Sequence, residues 1–182
     1  QTAEARGALL TADEDLINNE FLRALLGQGS LLADRGDFAN ALALFQLALQ
    51  QAEQRGLQAG QARALDRLGS LHHRLGNFPA AIAAYRQSLA LLQQLQNAEG
   101  IFAVQNNLGS ALAEMGDTEG AIDAFAKSLQ AGKGISEDKE RLATVDTNIA
   151  NAYNAAGNYA RATEHLNRSL RMSESLGDLR RQ

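Results

Sequence analysis

The decapeptide Gly76-Asn77-Phe78-Pro79-Ala80-Ala81-Ile82-Ala83-Ala84-Tyr85 is one of four versions of the same text. The others are Gly36-Asp37-Phe38-Ala39-Asn40-Ala41-Leu42-Ala43-Leu44-Phe45, Gly116-Asp117-Thr118-Glu119-Gly120-Ala121-Ile122-Asp123-Ala124-Phe125 and Gly157-Asn158-Tyr159-Ala160-Arg161-Ala162-Thr163-Glu164-His165-Leu166. Their first residues are 40, 40 and 41 positions apart. A repeat of this length cannot bury its own apolar face, so copies stack into a solenoid with a continuous core.

Working outward, each copy reads as a turn between two antiparallel helices. The glycine can take the left-handed conformation that ends the first helix, and the Asp or Asn after it can cap the second. Thr118 stands where the other copies have Phe38, Phe78 and Tyr159, which predicts a less well anchored third turn. The composition is helical, with one proline in 182 residues. Apolar residues recur at helical spacing, as in Leu42, Phe45, Ala48 and Leu49.

Thr11-Ala12-Asp13-Glu14 has capping-box form, and predicts a helix from there to about Arg35. Residues 2–10 are then the tail of an earlier helix. The remaining helices are expected near 38–55, 58–75, 78–96, 98–115, 118–131, 137–156 and 159–176. The expected organisation is a lead-in over 1–21, units at 22–56, 57–96, 97–136 and 137–177, and a further linker or helix beginning over 178–182. A chain that starts at Gln1 is expected either to have lost a leader or to be a piece of a longer protein, and the ending Leu176-Gly177-Asp178-Leu179-Arg180-Arg181-Gln182 points to truncation of a longer array.

Charge and composition exclude several classes of function. A net charge of −4 and an isoelectric point near 5.4 oppose nucleic-acid binding, which favours a basic face. No apolar run approaches the length that crosses a bilayer. The absence of cysteine removes disulfides and thiolate metal sites. The compartment is undetermined, with the cytoplasm favoured.

Upstream of the turns the match becomes specific. Residues 68–78 read Leu-Gly-Ser-Leu-His-His-Arg-Leu-Gly-Asn-Phe, and 108–118 read Leu-Gly-Ser-Ala-Leu-Ala-Glu-Met-Gly-Asp-Thr. Each continues with Ala81 or Ala121, Tyr85 or Phe125, and Ser88 or Ser128. Over about residues 22–177 this resembles the tetratricopeptide repeat, and most of all the 40-residue subclass of spindle-orientation adaptors, kinesin light chains and bacterial scaffolds. The resemblance implies an all-α fold, a right-handed α-solenoid of antiparallel helix pairs. Small Gly29, Gly69, Gly109 and Ala150 let the first helix of each pair approach its partner, which contributes Ala41, Ala81, Ala121 and Ala162. Phe45, Tyr85 and Phe125 are expected to fill the space between units, with Leu166 in the fourth.

The family also implies that the first helices line a concave groove holding a peptide or partner helix. Carried over, the groove positions are Arg23, Leu26, Gly27, Ser30, Ala33 and Asp34 in the first unit. The second supplies Arg63, Asp66, Arg67, Ser70, His73 and Arg74; the third Asn106, Asn107, Ser110, Ala113 and Glu114; the fourth Thr147, Asn148, Asn151 and Asn154. Asn107 and Asn148 stand where similar adaptors hydrogen-bond the backbone of an extended ligand, since one amide both donates and accepts. Arg63, Arg67 and Arg74, with His73 nearby, suit an acidic ligand through bidentate bonds to carboxylates. Against this stands the plainer expectation that these are solvated polar residues. Leu26 and Ser30 occupy positions where a carboxylate clamp needs Lys and Asn, so chaperone C-terminal tails are not the expected ligand.

Enzymatic chemistry finds little support. His72 falls on a packing position and His165 on an outer helix, and neither joins a metal-ligand pattern. Gly132-Lys133-Gly134-Ile135-Ser136 lacks the full phosphate-loop spacing and a preceding strand, so it reads as a linker. The expected function is a non-catalytic protein-interaction scaffold without cofactors, gripping a peptide or helix in the groove. The alternatives are a scaffold that self-assembles through exposed solenoid ends, and the regulatory or sensor arm of a longer signalling protein.

Overall fold

The computed structural model describes residues 3–133 and 139–179, with side chains for 19–133 and 139–175. The described residues form helices α1 (Ala3–Asp34), α2 (Phe38–Gln54), α3 (Gln58–Arg74), α4 (Phe78–Gln94), α5 (Ala98–Met115), α6 (Thr118–Gly132), α7 (Lys139–Ala155) and α8 (Tyr159–Leu179), and no strand. Each helix packs on its neighbours in the chain. Beyond that, α1 touches α3, α3 touches α5 and α5 touches α7, whereas the even helices do not touch one another. The odd helices are therefore the inner layer of a curved all-α solenoid, and the even helices splay apart on its outer side.

The four turns share one construction. Gly36, Gly76, Gly116 and Gly157 take φ of +83°, +72°, +91° and +73°. This left-handed step lets the amides of Asp37, Asn77, Asp117 and Asn158 close onto carbonyls five residues back, at 2.8–2.9 Å. The same four residues then cap the following helix, accepting from the amides of Asn40, Ala80, Gly120 and Arg161 at 3.3, 3.4, 2.9 and 3.3 Å. The third turn is thus not weaker for lacking an aromatic at Thr118. Its cap bond is the shortest, because Gly120 has no Cβ to hold the Asp117 carboxylate away.

Inside the first three pairs, aromatic rings rest on glycines. A Cβ added at Gly69 or Gly109 would lie 2.6 Å from the ring of Tyr85 or Phe125, and one at Gly29 would collide likewise with Phe45. The aromatics expected between units thus seat on a glycine of their own unit, and they share core clusters with residues of the next. In the last three units the small residue three positions after Tyr85, Phe125 or Leu166 is a serine with a polar function that its size alone did not suggest. Ser88, Ser128 and Ser169 donate to the carbonyls of Ala62, Phe102 and Ala143 at 2.8, 2.7 and 2.9 Å. Each bond stitches a second helix to the first turns of its partner.

Two expected breaks do not occur. α1 runs unbroken from Ala3 through Thr11, so the capping-box text is not a helix start. A capping residue sets a boundary only where something ends the preceding helix, and Ala, Glu, Arg and Leu of 3–10 are helix formers. Likewise α8 continues through Gly177 to Leu179, where a linker was expected. Residues 134–138, most of the rejected phosphate-loop text, and 180–182 lie outside the described residues. Among the described residues, α8 has Tyr159, Leu166 and Leu170 at 68%, 49% and 55% exposure, whereas Phe125, the counterpart of Leu166, is at 2%.

Concave face as candidate functional site

The inner helices present the candidate residues in repeating series, and the structure divides them by what they already bind. Asn148 donates from Nδ2 to Oδ1 of Asn106 at 3.0 Å, and Asn107 donates from Nδ2 to Oδ1 of Asp66 at 3.2 Å. These are the same bond one unit apart, tying α7 to α5 and α5 to α3. One unit further back the donor position is Arg67 and the acceptor position is Leu26. Leucine accepts nothing, so the ladder stops there. Arg67 makes no hydrogen bond or ion pair among the described residues.

Arg67 faces an open hollow of about 260 Å³ between α1 and α3, with Arg23, Arg63 and Asp66 around it and Leu26 and Ser30 in its wall. Among the described residues Arg63 is occupied only by a 3.3 Å bond from Nε to the carbonyl of Ala59 in its own helix. Arg74, expected in this cationic patch, is diverted. It reaches Oδ1 of Asp34 at 3.0 Å and the carbonyl of Ala33 at 2.9 Å, and lies over the Phe38 ring. The patch in the structure is Arg23, Arg63 and Arg67.

Asp66, on the floor of this region, is half-buried, and its burial raises its carboxyl above the usual range, against the opposing pull of Arg67 and Asn107. Tyr85 is pushed up to about 12, chiefly by burial; its bond to Ser70 lowers it and the Asp66 charge raises it further. Ser70 is thereby engaged, accepting from the Tyr85 hydroxyl at 3.3 Å. His73 Nε2 approaches Glu114 Oε1 at 3.2 Å without hydrogen-bond alignment, and its ring tilts against Phe78. Ser110 donates to the carbonyl of Asn106 at 3.2 Å, and Thr147 to that of Ala143 at 3.0 Å, both along their own helices.

The other end of the face has no cation in its hollow. Between α5 and α7 a hollow of about 230 Å³ is bordered by Ser110, Ala113, Glu114, Asn148 and Asn151. Asn151 and Asn154 are exposed, and their side chains bond to nothing among the described residues. The structure thus brings Arg63 and Arg67 together and leaves Asn151 and Asn154 open, while Asn106, Asn107, Asn148, Ser70, Arg74 and His73 meet partners inside the array.

Two buried polar residues escaped the sequence reasoning. Asp146, 1% exposed, accepts from Arg168 Nε at 2.6 Å and from Arg168 Nη2, and meets His165 Nδ1 at 2.8 Å. The Asp146 hydrogen bonds raise the guanidinium pKa of Arg168 above its ordinary value. The cluster locks α8 to α7. Gln105, 6% exposed, is the second; its Oε1 is sealed and has no donor, an arrangement that costs about 1–3 kcal/mol. Spacing alone could have found them, since both occupy the position that holds Leu65 in the second unit.

Among the described residues there is no group of three His, Asp or Glu placed to hold a metal ion, and no helix is long and apolar enough to cross a membrane. Comparison with known proteins adds the family. No curated protein matches the chain in sequence. Among solved structures, BtubC (BKLC) from P. vanneervenii is similar with a TM-score of 0.81 and 22% identity, over 88% of this chain and 66% of that one. The chain therefore spans just under two thirds of that relative's length. MamA superposes with a TM-score of 0.64 and 23% identity, over 96% of this chain and 88% of its own. A putative kinesin light chain from Podosopora anserina with nearly identical TPR-like repeats gives 0.69 and 15%, over 85% and 76%. These likenesses establish the fold. The tetratricopeptide repeat profile matches residues 20–94 and 100–175, and with the glycine turns and stacked helix pairs this makes the chain a member of the tetratricopeptide repeat family, whose arrays serve as protein-interaction scaffolds.

Proposed function

We propose that the chain is a non-catalytic scaffold that binds a protein segment along its concave face, with an acidic side chain of that segment seated among Arg23, Arg63 and Arg67. The observation that carries this reading is the interrupted ladder. Leu26 stands where Asp66 and Asn106 act as acceptors in later units, which frees Arg67 to meet a carboxylate. The segment then runs toward α7, where Asn151 and Asn154 read its backbone without demanding a particular side chain. Asn106, Asn107, Ser110, Thr147 and Asn148 shape this stretch and Ser70, His73 and Arg74 the stretch before it; Asn106, Asn107, Asn148, His73 and Arg74 contribute mainly by holding successive inner helices in register, and Ser70, Ser110 and Thr147 by contact within their own units.

The test is selection from an unbiased displayed peptide library on immobilised protein. Recovered peptides should be enriched in Asp and Glu, and should lose binding to the Arg23→Gln/Arg67→Gln double variant. Recovery of peptides without acidic enrichment, indifferent to that variant, overturns the reading.

One observation favours a second reading. Tyr159, Leu166 and Leu170 form an uncovered apolar strip on α8, and stacking of copies through such an end would bury it. Sedimentation equilibrium over a hundredfold range of concentration separates the two. A monomer throughout favours the groove, whereas mass that grows with concentration and vanishes in Leu166→Glu/Leu170→Glu favours the end.

A further inference from the structure

The splayed outer helices leave two clefts that differ in charge. Between α4 and α6, a cleft of about 330 Å³ is bordered by Arg86 and Lys127 and also by Asp117 and Asp123, which balance them. Between α6 and α8, a larger cleft of about 420 Å³ is bordered by Lys133, His165 and Arg168 and by no carboxylate. The repeat positions show where the difference arises. Lys133 stands where the first cleft has Gln93. Asn158 and Glu164 stand at the positions of Asp117 and Asp123, and neither borders the second cleft.

The floor and walls of the α6/α8 cleft are apolar and fixed. Ile149, 2% exposed, lies beneath, and Ile122 and Leu129 line the α6 side. Opposite, the His165 ring stacks on Tyr153, with centroids 5.6 Å apart and planes 27° apart. Both rings are held: His165 by Asp146 at 2.8 Å, Tyr153 by Arg161, which donates to its hydroxyl at 3.0 Å. Arg168 turns inward to Asp146, so that sealed carboxylate cancels its charge. Nothing cancels Lys133. Its backbone amide closes onto Leu129 at 3.2 Å, one turn back, while its exposed ammonium makes no hydrogen bond or ion pair among the described residues.

We propose that the α6/α8 cleft is a second docking site, on the outer side and independent of the concave face. Its occupant is an extended segment of a partner protein carrying a leucine-sized apolar side chain and, two residues away, a carboxylate. Charge complementarity selects the acid, because the cleft stays positive after Asp146 has neutralised Arg168. The apolar side chain leaves water against Ile122, Leu129 and Ile149. The spacing also fits. Alternate side chains of an extended segment share one side about 7 Å apart, close to the roughly 6 Å that one turn puts between Leu129 and Lys133 along α6.

The probe is the peptide N-acetyl-Leu-Ser-Glu methylamide, titrated into uniformly ¹⁵N-labelled protein while the backbone amides of Ala126, Lys133 and Tyr153 are followed. The expected result is a saturable shift at all three. Analogues with Gln for Glu, or Ala for Leu, should each bind at least roughly twofold more weakly. Lys133→Gln breaks no bond and should reduce the peptide to the level of its Gln analogue. Ala126→Glu, at an exposed position on the border, should abolish the shifts. Arg23→Gln/Arg67→Gln should leave them unchanged. The proposal is overturned if these amides show no saturable shift, or if the Gln analogue binds as well as the acid. Shifts confined to α1 and α3 would place the peptide on the concave face instead, and overturn it too. So would self-association that Ala126→Glu abolishes, which would give the cleft to a second copy.

Discussion

The α1/α3 and α5/α7 ends of the concave face are made from the same repeat positions and have opposite chemistry. At α5/α7 the positions are asparagines, and Asn148 bonds back to Asn106 across the unit boundary. At α1/α3 the corresponding pair is Arg67 and Leu26, which cannot bond, and the boundary is tied instead by Arg74 to Asp34 about two turns further along. The lesson concerns allocation. A polar position on an inner helix can join one unit to the next or face a ligand, and which it does depends on the residue one unit earlier. Thus Arg67 is available because of Leu26, and Asn148 is largely committed because of Asn106.

The sharpest way to break the comparison is to supply the missing acceptor. Leu26→Asp should capture Arg67 and abolish binding of acidic peptides, while losing about 2–4 kcal/mol of stability as a buried leucine is removed. Leu26→Ala should lose similar stability yet keep the peptide, because Arg67 stays free. Urea denaturation paired with peptide titration reads both effects. If the two variants bind alike, the capture argument fails.

At the asparagine end the effects are smaller. Asn148→Ala should lower stability by about 1 kcal/mol, as expected for one inter-unit hydrogen bond. Asn154→Ala, which breaks no bond, should stay within about 0.5 kcal/mol. Equal unfolding midpoints for the two would remove the distinction between committed and open asparagines.

A pH dependence follows from Asp66, whose carboxyl is raised in the folded state, mainly by burial. A raised acid contributes most favourably in its protonated form, and that contribution is lost as pH rises through the folded pKa. Asp66→Asn should therefore raise Tm at neutral pH, with the advantage fading as pH falls through the raised folded pKa and gone below the ordinary carboxylate range. An advantage that grew in acid would reverse the assignment. Smallest of all, moderate added salt should weaken peptide binding through the exposed arginines, and truncating the acidic end of the peptide should remove that sensitivity.

The period of the glycines was enough to read eight helices and their order, because a glycine–Asp/Asn turn is local chemistry that needs no knowledge of neighbours. Two boundaries were misread for the same reason. Thr11 and Gly177 carry boundary residues, but the context that would enforce a boundary is missing there. The groove helices were legible from the family resemblance, and Arg63 and Arg67 do lie together. The diversion of Arg74, the commitment of Asn107 and the burial of Asp146 were not legible. Each depends on a partner 19 to 41 residues away, and a polar residue looks the same in sequence whether it faces solvent or a neighbouring helix.

The measurement that bears most directly on the concave face is the affinity of the best selected acidic peptide for wild-type protein, Arg67→Gln and Asn107→Ala. Loss of roughly tenfold or more with Arg67→Gln, at unchanged Tm and with a lesser loss for Asn107→Ala, is the predicted result. Equal affinity of Arg67→Gln and wild type would contradict the claim that the interrupted ladder makes the binding site.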